Sequence, residues 1–407
     1  MSSDMAWPLS ELGKEAANAS RPFPFKEHLQ VVFVNTGDVL AGKMLHATMS
    51  RSEGLPGQAK KALRPNDILL TEIRPGNGRF AFVDFDPERH VVSTKFMVIE
   101  ALGRVTPRFL YHVLTNPLAL DEFQRIAEAR SGTFPQITFD SIAHFPVPIP
   151  PIGEQSTIAQ FFDAIQWRLD LLRETNATLA AIGEALFKSW FVDFDPVHAK
   201  QQGVAPVGMD EATAALFPDG FEAEPSGLLP RSWRAGNVQD LMELGYGKAL
   251  KATDRVAGDV PVYGSGGITG HHNCALVDGP SVVVGRKGTV GSLYWEDRPS
   301  FPIDTVFYIK AKAPLTYCFY QLNVLGLADM NTDGAVPGLN RSNVYRLPVV
   351  IPPTAVLAAF DEFASALRAR MFANSAQAQT LTILRDTLLP RLISGKLRLP
   401  EADSLAA

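Results

Sequence analysis

The chain has 407 residues, 46% of them hydrophobic and 20% charged, which excludes wholesale disorder and leaves room for two or more domains, each with its own core. A net charge of −5 excludes a protein that coats nucleic acid by bulk electrostatics, although local basic patches or a basic partner can still meet phosphates. No apolar run approaches the roughly 18 residues of a membrane span; the start through Trp7 lacks a signal sequence's basic flank and apolar core, and Cys274 and Cys318 make no disulfide framework, so a soluble cytoplasmic protein is expected.

In chain order, Val31-Val-Phe-Val34, Phe80-Ala-Phe-Val83 and Met97-Val-Ile99 read as short strands. Asp67-Ile-Leu-Leu70 reads as a buried strand running into a glycine turn, Arg74-Pro-Gly76-Asn-Gly78. The stretch Phe145-Pro146-Val147-Pro-Ile149-Pro150-Pro151 leads into a long helix, since proline suits the residues just before a helix or its first turn. Along it Ile158, Ile165, Leu172, Leu179 and Leu186 recur every seven residues, with Phe162, Leu169, Asn176, Gly183 and Trp190 interleaved. That is the pattern of a coiled-coil seam, in which Asn176 can fix register; the alternative is the apolar face of an ordinary packed helix. Phe217-Pro-Asp-Gly220 and Glu224-Pro-Ser-Gly227 mark a connecting segment, and strands resume at Val282-Val-Val284 and Val306-Phe-Tyr-Ile309. After Pro352-Pro353 a second helical stretch carries Val356, Phe360, Phe363, Leu367, Met371, Asn374, Leu381, Leu384 and Leu388, mostly three and four apart.

The halves repeat at a constant separation of 202 residues. Gly132-Thr-Phe-Pro135-Gln-Ile137 answers to Gly334-Ala-Val-Pro337-Gly-Leu339, Phe145 to Pro151 answers to Leu347 to Pro353, and Leu179 and Leu186 answer to Leu381 and Leu388. Upstream the match loosens, with Asp67-Ile-Leu-Leu70 resembling Ser281-Val-Val-Val284 and the following glycine turns resembling each other; Trp7 and Trp233 stand near the two starts. Two equivalent helices of roughly 35 residues, about 50 Å each at 1.5 Å per residue, are too long to bury against a domain of about 150 residues and are expected to pair with each other. The fold class is α+β: two tandem modules, residues 1–151 and 232–353, separated by long antiparallel coiled-coil helices at 152–195 and 354–396, with a connecting segment at 196–231 and a tail at 397–407.

Catalytic motifs are lacking. There is no Gly-x4-Gly-Lys-Ser/Thr loop, Tyr263-Gly264-Ser-Gly266-Gly267-Ile-Thr-Gly270 breaks dinucleotide spacing, and both Pro-Pro pairs lack the Asn and aromatic neighbours of an adenine methyltransferase. Asp67 and Glu72 near Arg74 only faintly suggest a nuclease metal site, and His271-His272-Asn-Cys274 has no second ligand pair, so no metal is expected. DNA contact is better served by Arg286 and Lys287 between Gly285 and Gly288, where the backbone can approach a phosphate; a generic exposed basic turn is the alternative. Arg74 and Arg79 in the first module and Lys248, Lys251, Tyr263 and Arg341 in the second complete the DNA-binding candidates, alongside a local surplus that includes Arg51, Lys60, Lys61, Arg64 and Arg255.

Several stretches resemble the specificity subunits of type I restriction-modification systems: Ala185-Leu-Phe-Lys-Ser189-Trp190-Phe191-Val-Asp193-Phe194-Asp195-Pro196, Val262-Tyr-Gly264-Ser-Gly-Gly267, Val284-Gly-Arg-Lys-Gly288-Thr-Val-Gly291, Gly338-Leu-Asn-Arg341 and Leu384 to Lys396. The resemblance covers nearly the whole chain and weakens before Lys61. It implies two target-recognition domains that read the parts of a split, asymmetric duplex DNA site, and two helices that set their spacing and bind partners. It also implies two copies of a methyltransferase subunit, which use S-adenosylmethionine, and a restriction motor-nuclease subunit, which uses ATP and Mg2+; this chain itself would bind no cofactor and catalyse nothing. The partner and spacer positions are then Ile158, Phe162, Ile165, Leu169, Leu172, Asn176, Leu179, Leu186, Leu367, Leu381 and Leu388. The alternatives are an enzyme fused to its own recognition module and an orphan DNA-binding scaffold.

Overall fold

Strand Ile68–Thr71 is apolar toward both of its faces, and all four residues are buried. In the computed structural model, which describes residues 7–130, 132–225, 227–330 and 338–399, it lies inside the main sheet of a first unit, Met1–Leu171 with Gln377–Ala407. The strand order there is Ala16–Asn18, Phe96–Ala101, Ile68–Thr71, Phe80–Phe82, with antiparallel neighbours. Period-2 alternation sends Ile68, Leu70, Met97 and Ile99 toward a core shared with Phe109, Val113 and Phe123 of helices Pro107–Thr115 and Pro117–Arg130. Leu69, Phe96 and Val98 face the other way, against Val32, Val34 and Val92. Those valines come from a second four-stranded sheet, ordered Met49–Arg51, Gln30–Val34, His90–Ser93, Ala59–Ala62, whose central pair is parallel.

The second unit, Leu172–Ala376, is built on the same plan. Its main sheet is ordered Met242–Tyr246, Val306–Ala311, Ser281–Gly285, Leu293–Glu296, all antiparallel. Val282, Val284, Phe307 and Ile309 enter its large core, while Val283 and Val306 meet Tyr263 on the opposite face. A three-stranded sheet of Gly267–His272, Val260–Gly264 and Phe301–Pro302 again contains one parallel pair.

Strand register makes the repeat explicit and explains why the sequence match loosens upstream. Equivalent residues are separated by 226 at Trp7 and Trp233, 214 at Asp67 and Ser281, 210 at Phe96 and Val306, and 202 at Pro146 and Pro348. The first module therefore holds extra residues at three separate places, and only the last stretch stays in constant register. The repeated segment Gly334 to Pro337 lies outside the described residues, as do residues 1–6 and 400–407; Gln136 and Gly338 are described and form equivalent bridges, to Ile73 and Lys287.

The central helix, Ile152–Phe191, and the C-terminal helix, Thr354–Ile393, each have 40 residues, about 60 Å at 1.5 Å per residue; they exceed the rough length of 35 and stop short of the expected ends at 195 and 396. In the first unit Ile158, Phe162, Ile165 and Leu169 share a core with Leu388, Leu389 and Leu392. Antiparallel pairing follows from Gln166 accepting from Arg385 while Arg168 donates to Gln377. Phe162, Leu169 and Leu388 are 1%, 0% and 3% exposed, and burying each contributes about 1.5–3 kcal/mol. In the second unit Phe187, Trp190 and Phe191 pack with Phe360, and Asn176 meets Met371, Asn374 and Ser375, again antiparallel.

Residues 196–231 are folded into the second unit. Helices Asp195–Gln201 and Glu211–Ala215 and a hairpin of Phe221–Glu224 with Gly227–Pro230 occupy this stretch, and Val197 and Phe217 are buried with Trp190 and Trp233. In the first unit Trp7 meets the end of the C-terminal helix: its indole N–H donates to the Leu392 carbonyl oxygen at 3.1 Å, and its ring packs on Gly395.

Candidate nucleic-acid interface

In the second module the buried strand Ser281–Gly285 ends in the Gly285–Gly288 turn. A side chain at Gly285 would overlap the Thr289 carbonyl oxygen, and Gly288 has φ +83°, so both glycines are required by this tight return. The Arg286 and Lys287 amides both donate to the Thr305 carbonyl oxygen, at 2.9 and 3.0 Å, and the Leu339 amide donates to the Arg286 carbonyl oxygen at 2.8 Å. These backbone bonds fix where the two cations leave the sheet.

The Arg286 guanidinium donates through Nη1 to the Asp304 carbonyl oxygen at 2.9 Å and lies 5.0 Å from the ring centre of Tyr246 and 5.7 Å from that of Phe307. Arg341 begins helix Arg341–Tyr345, which the Asn340 side chain caps by accepting from the amides of Ser342 and Asn343. Its guanidinium carbon stands 4.8 Å from the Tyr246 ring centre and 5.8 Å from that of Tyr345. Tyr246, the last residue of its strand, is 48% exposed. It went unrecognised in the sequence because only strand pairing with Phe307 brings it beside Arg286. Lys287, Lys248 and Lys251 are exposed close by in the chain.

Tyr263 stands apart from these candidates. It is 5% exposed, and its hydroxyl donates to Glu296 Oε2 at 2.9 Å. Burial, reinforced by the Glu296 charge, pushes the phenol well above its usual range and keeps it a neutral donor. This residue is a core contact, because its strand turns it inward against Val283 and Val306. Glu296 also holds Arg298, so the acid is matched inside the module.

In the first module Arg74 is exposed, with φ 44°, and its amide donates to the Pro135 carbonyl oxygen at 3.1 Å. Arg79 is committed to a remote segment of its own module, donating to the carbonyl oxygens of Gly37 and Val39 at 3.1 and 2.9 Å. Ladder register places Glu72, rather than Arg74, at the position of Arg286. Burial raises the Glu72 carboxyl against the opposing pull of Lys61 and Lys95. Asp67 is buried and ion-paired with Arg21, which removes it from any metal site. His272 likewise accepts from the Val256 amide at 3.0 Å through Nδ1. Among the described residues no cluster of three His, Cys, Asp or Glu side chains could hold a metal.

Of the helix positions, Ile158, Phe162, Ile165, Leu169, Leu172 and Leu388 are buried, whereas Asn176, Leu179, Leu186, Leu367 and Leu381 are half-buried. Leu381 packs on the first unit's core and Leu186 on the second's. Gly183 takes a seam position because Tyr320 fills the space above it. No described helix is long and apolar enough to cross a membrane.

A family profile described as the type I restriction modification DNA specificity domain matches residues 9–181 and 230–356, one match on each repeat. The chain is 32% identical to the type I restriction enzyme HindI specificity subunit of Haemophilus influenzae, across 96% of this chain and 99% of that protein. It is 20% identical to the MjaIX specificity subunit of Methanocaldococcus jannaschii, across 82% and 78%. Its fold is similar to that of a type I restriction-modification S subunit from M. genitalium, with TM-score 0.56, 18% identity, and 95% and 96% of the two chains covered.

Proposed function

The chain belongs to the type I restriction-modification DNA specificity family, and we propose that it reads a bipartite, asymmetric duplex site with one half assigned to each module. DNA sequence recognition within a type I system is the role of this family, and catalysis lies in partner subunits. What supports two readers is a single observation: both modules keep the same four-strand order yet carry different residues at the end of the sheet where the basic turns emerge. Equivalent frames place two surfaces for base reading, and divergent side chains let them read different bases.

Specificity subunits act with methyltransferase and restriction subunits on DNA. The internal repeat supports a finer reading, in which two equivalent helix faces receive two copies of the methyltransferase subunit. S-adenosylmethionine then belongs to those copies, ATP and Mg2+ belong to the restriction subunit, and the assembly works in the cytoplasm. The test replaces residues 232–353 with the matching segment of a relative and sequences the methylome of cells that carry the assembled system. One half of the methylated motif should change and the other should stay; a continuous motif, or a change in both halves, would overturn the reading.

A further inference from the structure

The guanidiniums of Arg286 and Arg341 share one aromatic ring. Their carbons lie 5.0 and 4.8 Å from the Tyr246 centroid, so they are at most 9.8 Å apart, the sum of those distances. That is close to the screening length of about 8 Å at physiological ionic strength, so the two charges still repel each other. Among the described residues neither cation has an ion pair, and the one protein acceptor of either guanidinium is the Asp304 carbonyl oxygen. Arg108, which also lies over aromatic rings, is by contrast neutralised by Asp163 and Asp84. Stacking on Tyr246, Phe307 and Tyr345 orients the two planar forks while leaving N–H donors unused. Two preoriented forks over one exposed ring, without an ion pair among the described residues, form a receptor for an anion that accepts several hydrogen bonds.

We infer that Arg286, Tyr246 and Arg341 form a clamp for the phosphodiester backbone of duplex DNA, present in the second module and lacking in the first. The inference rests on the proposed DNA-reading role and adds a division of labour to it. Register places Glu72 where Arg286 stands and Ser20 where Tyr246 stands, and the 202-residue separation places Phe139 where Arg341 stands. A carboxyl replaces a guanidinium, so the first module cannot grip a phosphate at this point. The backbone supports position in both modules; the Ile73 to Gln136 and Lys287 to Gly338 bridges are the same. Only the side chains differ. The clamp's task is to set the second module's register on its half-site, which phosphate contacts do without carrying sequence information.

The test measures equilibrium binding of the assembled methyltransferase complex to two duplexes across a potassium chloride series. One carries the site the complex methylates, and the other is a scrambled duplex of equal length. Arg286→Gln and Arg341→Gln should each weaken both duplexes by the same factor, on the order of fivefold at physiological salt, and each should lower the slope of log affinity against log salt by about 0.9. The paired Arg286→Lys, Arg341→Lys variant keeps both charges and should recover most of the slope. Tyr246→Leu should weaken both duplexes with little charge lost, and Tyr246→Phe, which keeps the ring, should not. An unchanged slope, a loss confined to the methylated site, or a lysine pair whose slope falls as far as that of the single glutamine variants would each overturn the clamp. Failure of the parent complex to prefer its own site would instead overturn the DNA-reading role.

Discussion

Asn374 donates its side-chain amide to the Asn176 side-chain oxygen at 2.8 Å, between the two long helices of the second unit. Asn176 in turn donates to the Met371 carbonyl oxygen and the Ser375 hydroxyl, each at 3.1 Å. Asn374 is only 2% exposed, so its amide depends on this partner. Asn176→Leu should therefore destabilise the chain by about 1–3 kcal/mol, while the double replacement Asn176→Leu, Asn374→Leu should recover much of the loss, because no buried amide is left unpaired. Denaturant unfolding of the two single variants and the double variant reads this coupling. Additive losses would show that the two side chains act independently.

Gly183 supports a different close approach. A Cβ there would overlap the Tyr320 hydroxyl, whereas one at Gly153, in the first turn of the same helix, would meet nothing within 4 Å. Gly183→Ala should lower stability by about 1–3 kcal/mol through overpacking. Gly153→Ala should be neutral or stabilise by up to about 1 kcal/mol, since alanine is the better helix former. Thermal unfolding separates the two, and equal effects would mean that Tyr320 moves freely.

Acid should loosen the first unit through Asp163. Burial alone would raise this carboxyl, but hydrogen bonds from His112 and from Arg108, at 2.8 Å each, outweigh burial and hold it below the ordinary aspartate range. A carboxyl depressed in the folded state contributes stability that is present above its unfolded value of about 3.9 and is lost as pH falls through the folded value. Unfolding midpoints should thus drop below about pH 4, and Asp163→Asn should start lower and show a shallower drop over that window. Parallel acid profiles for the two proteins would remove Asp163 from the account.

Much of this organisation was legible in the sequence, and the limits have physical causes. The helices showed because a seven-residue apolar period persists along the central one and apolar residues recur three and four apart along the other, and the basic turn showed because glycines flank Arg286 and Lys287. Register in the upstream repeat was hidden by the first module's extra residues, which fall at three places and shift the separation from 226 to 202. Tyr263 read as a DNA contact because its own short strand does not reveal that both faces are covered; all of Pro261 to Gly264 is buried. Tyr246 was silent because its neighbours Arg286 and Arg341 are remote in sequence and are gathered by the sheet and by the Leu339 bond to Arg286.

If the paired helices space the two proposed readers along DNA, lengthening both helices together should lengthen the gap between their half-sites. Because the helices pair antiparallel at Asn176 and Asn374, four residues must be inserted at both positions to keep the partners matched. Four residues add about 6 Å at 1.5 Å per residue, which corresponds to between one and two base pairs at about 3.4 Å each. Methylome sequencing of cells carrying the parent or the lengthened chain supplies the readout. The expected result is a bipartite motif in the parent, and the same two half-sites with an unspecified spacer one or two base pairs longer in the variant. A continuous motif in the parent, or altered half-site bases with an unchanged spacer in the variant, would contradict it.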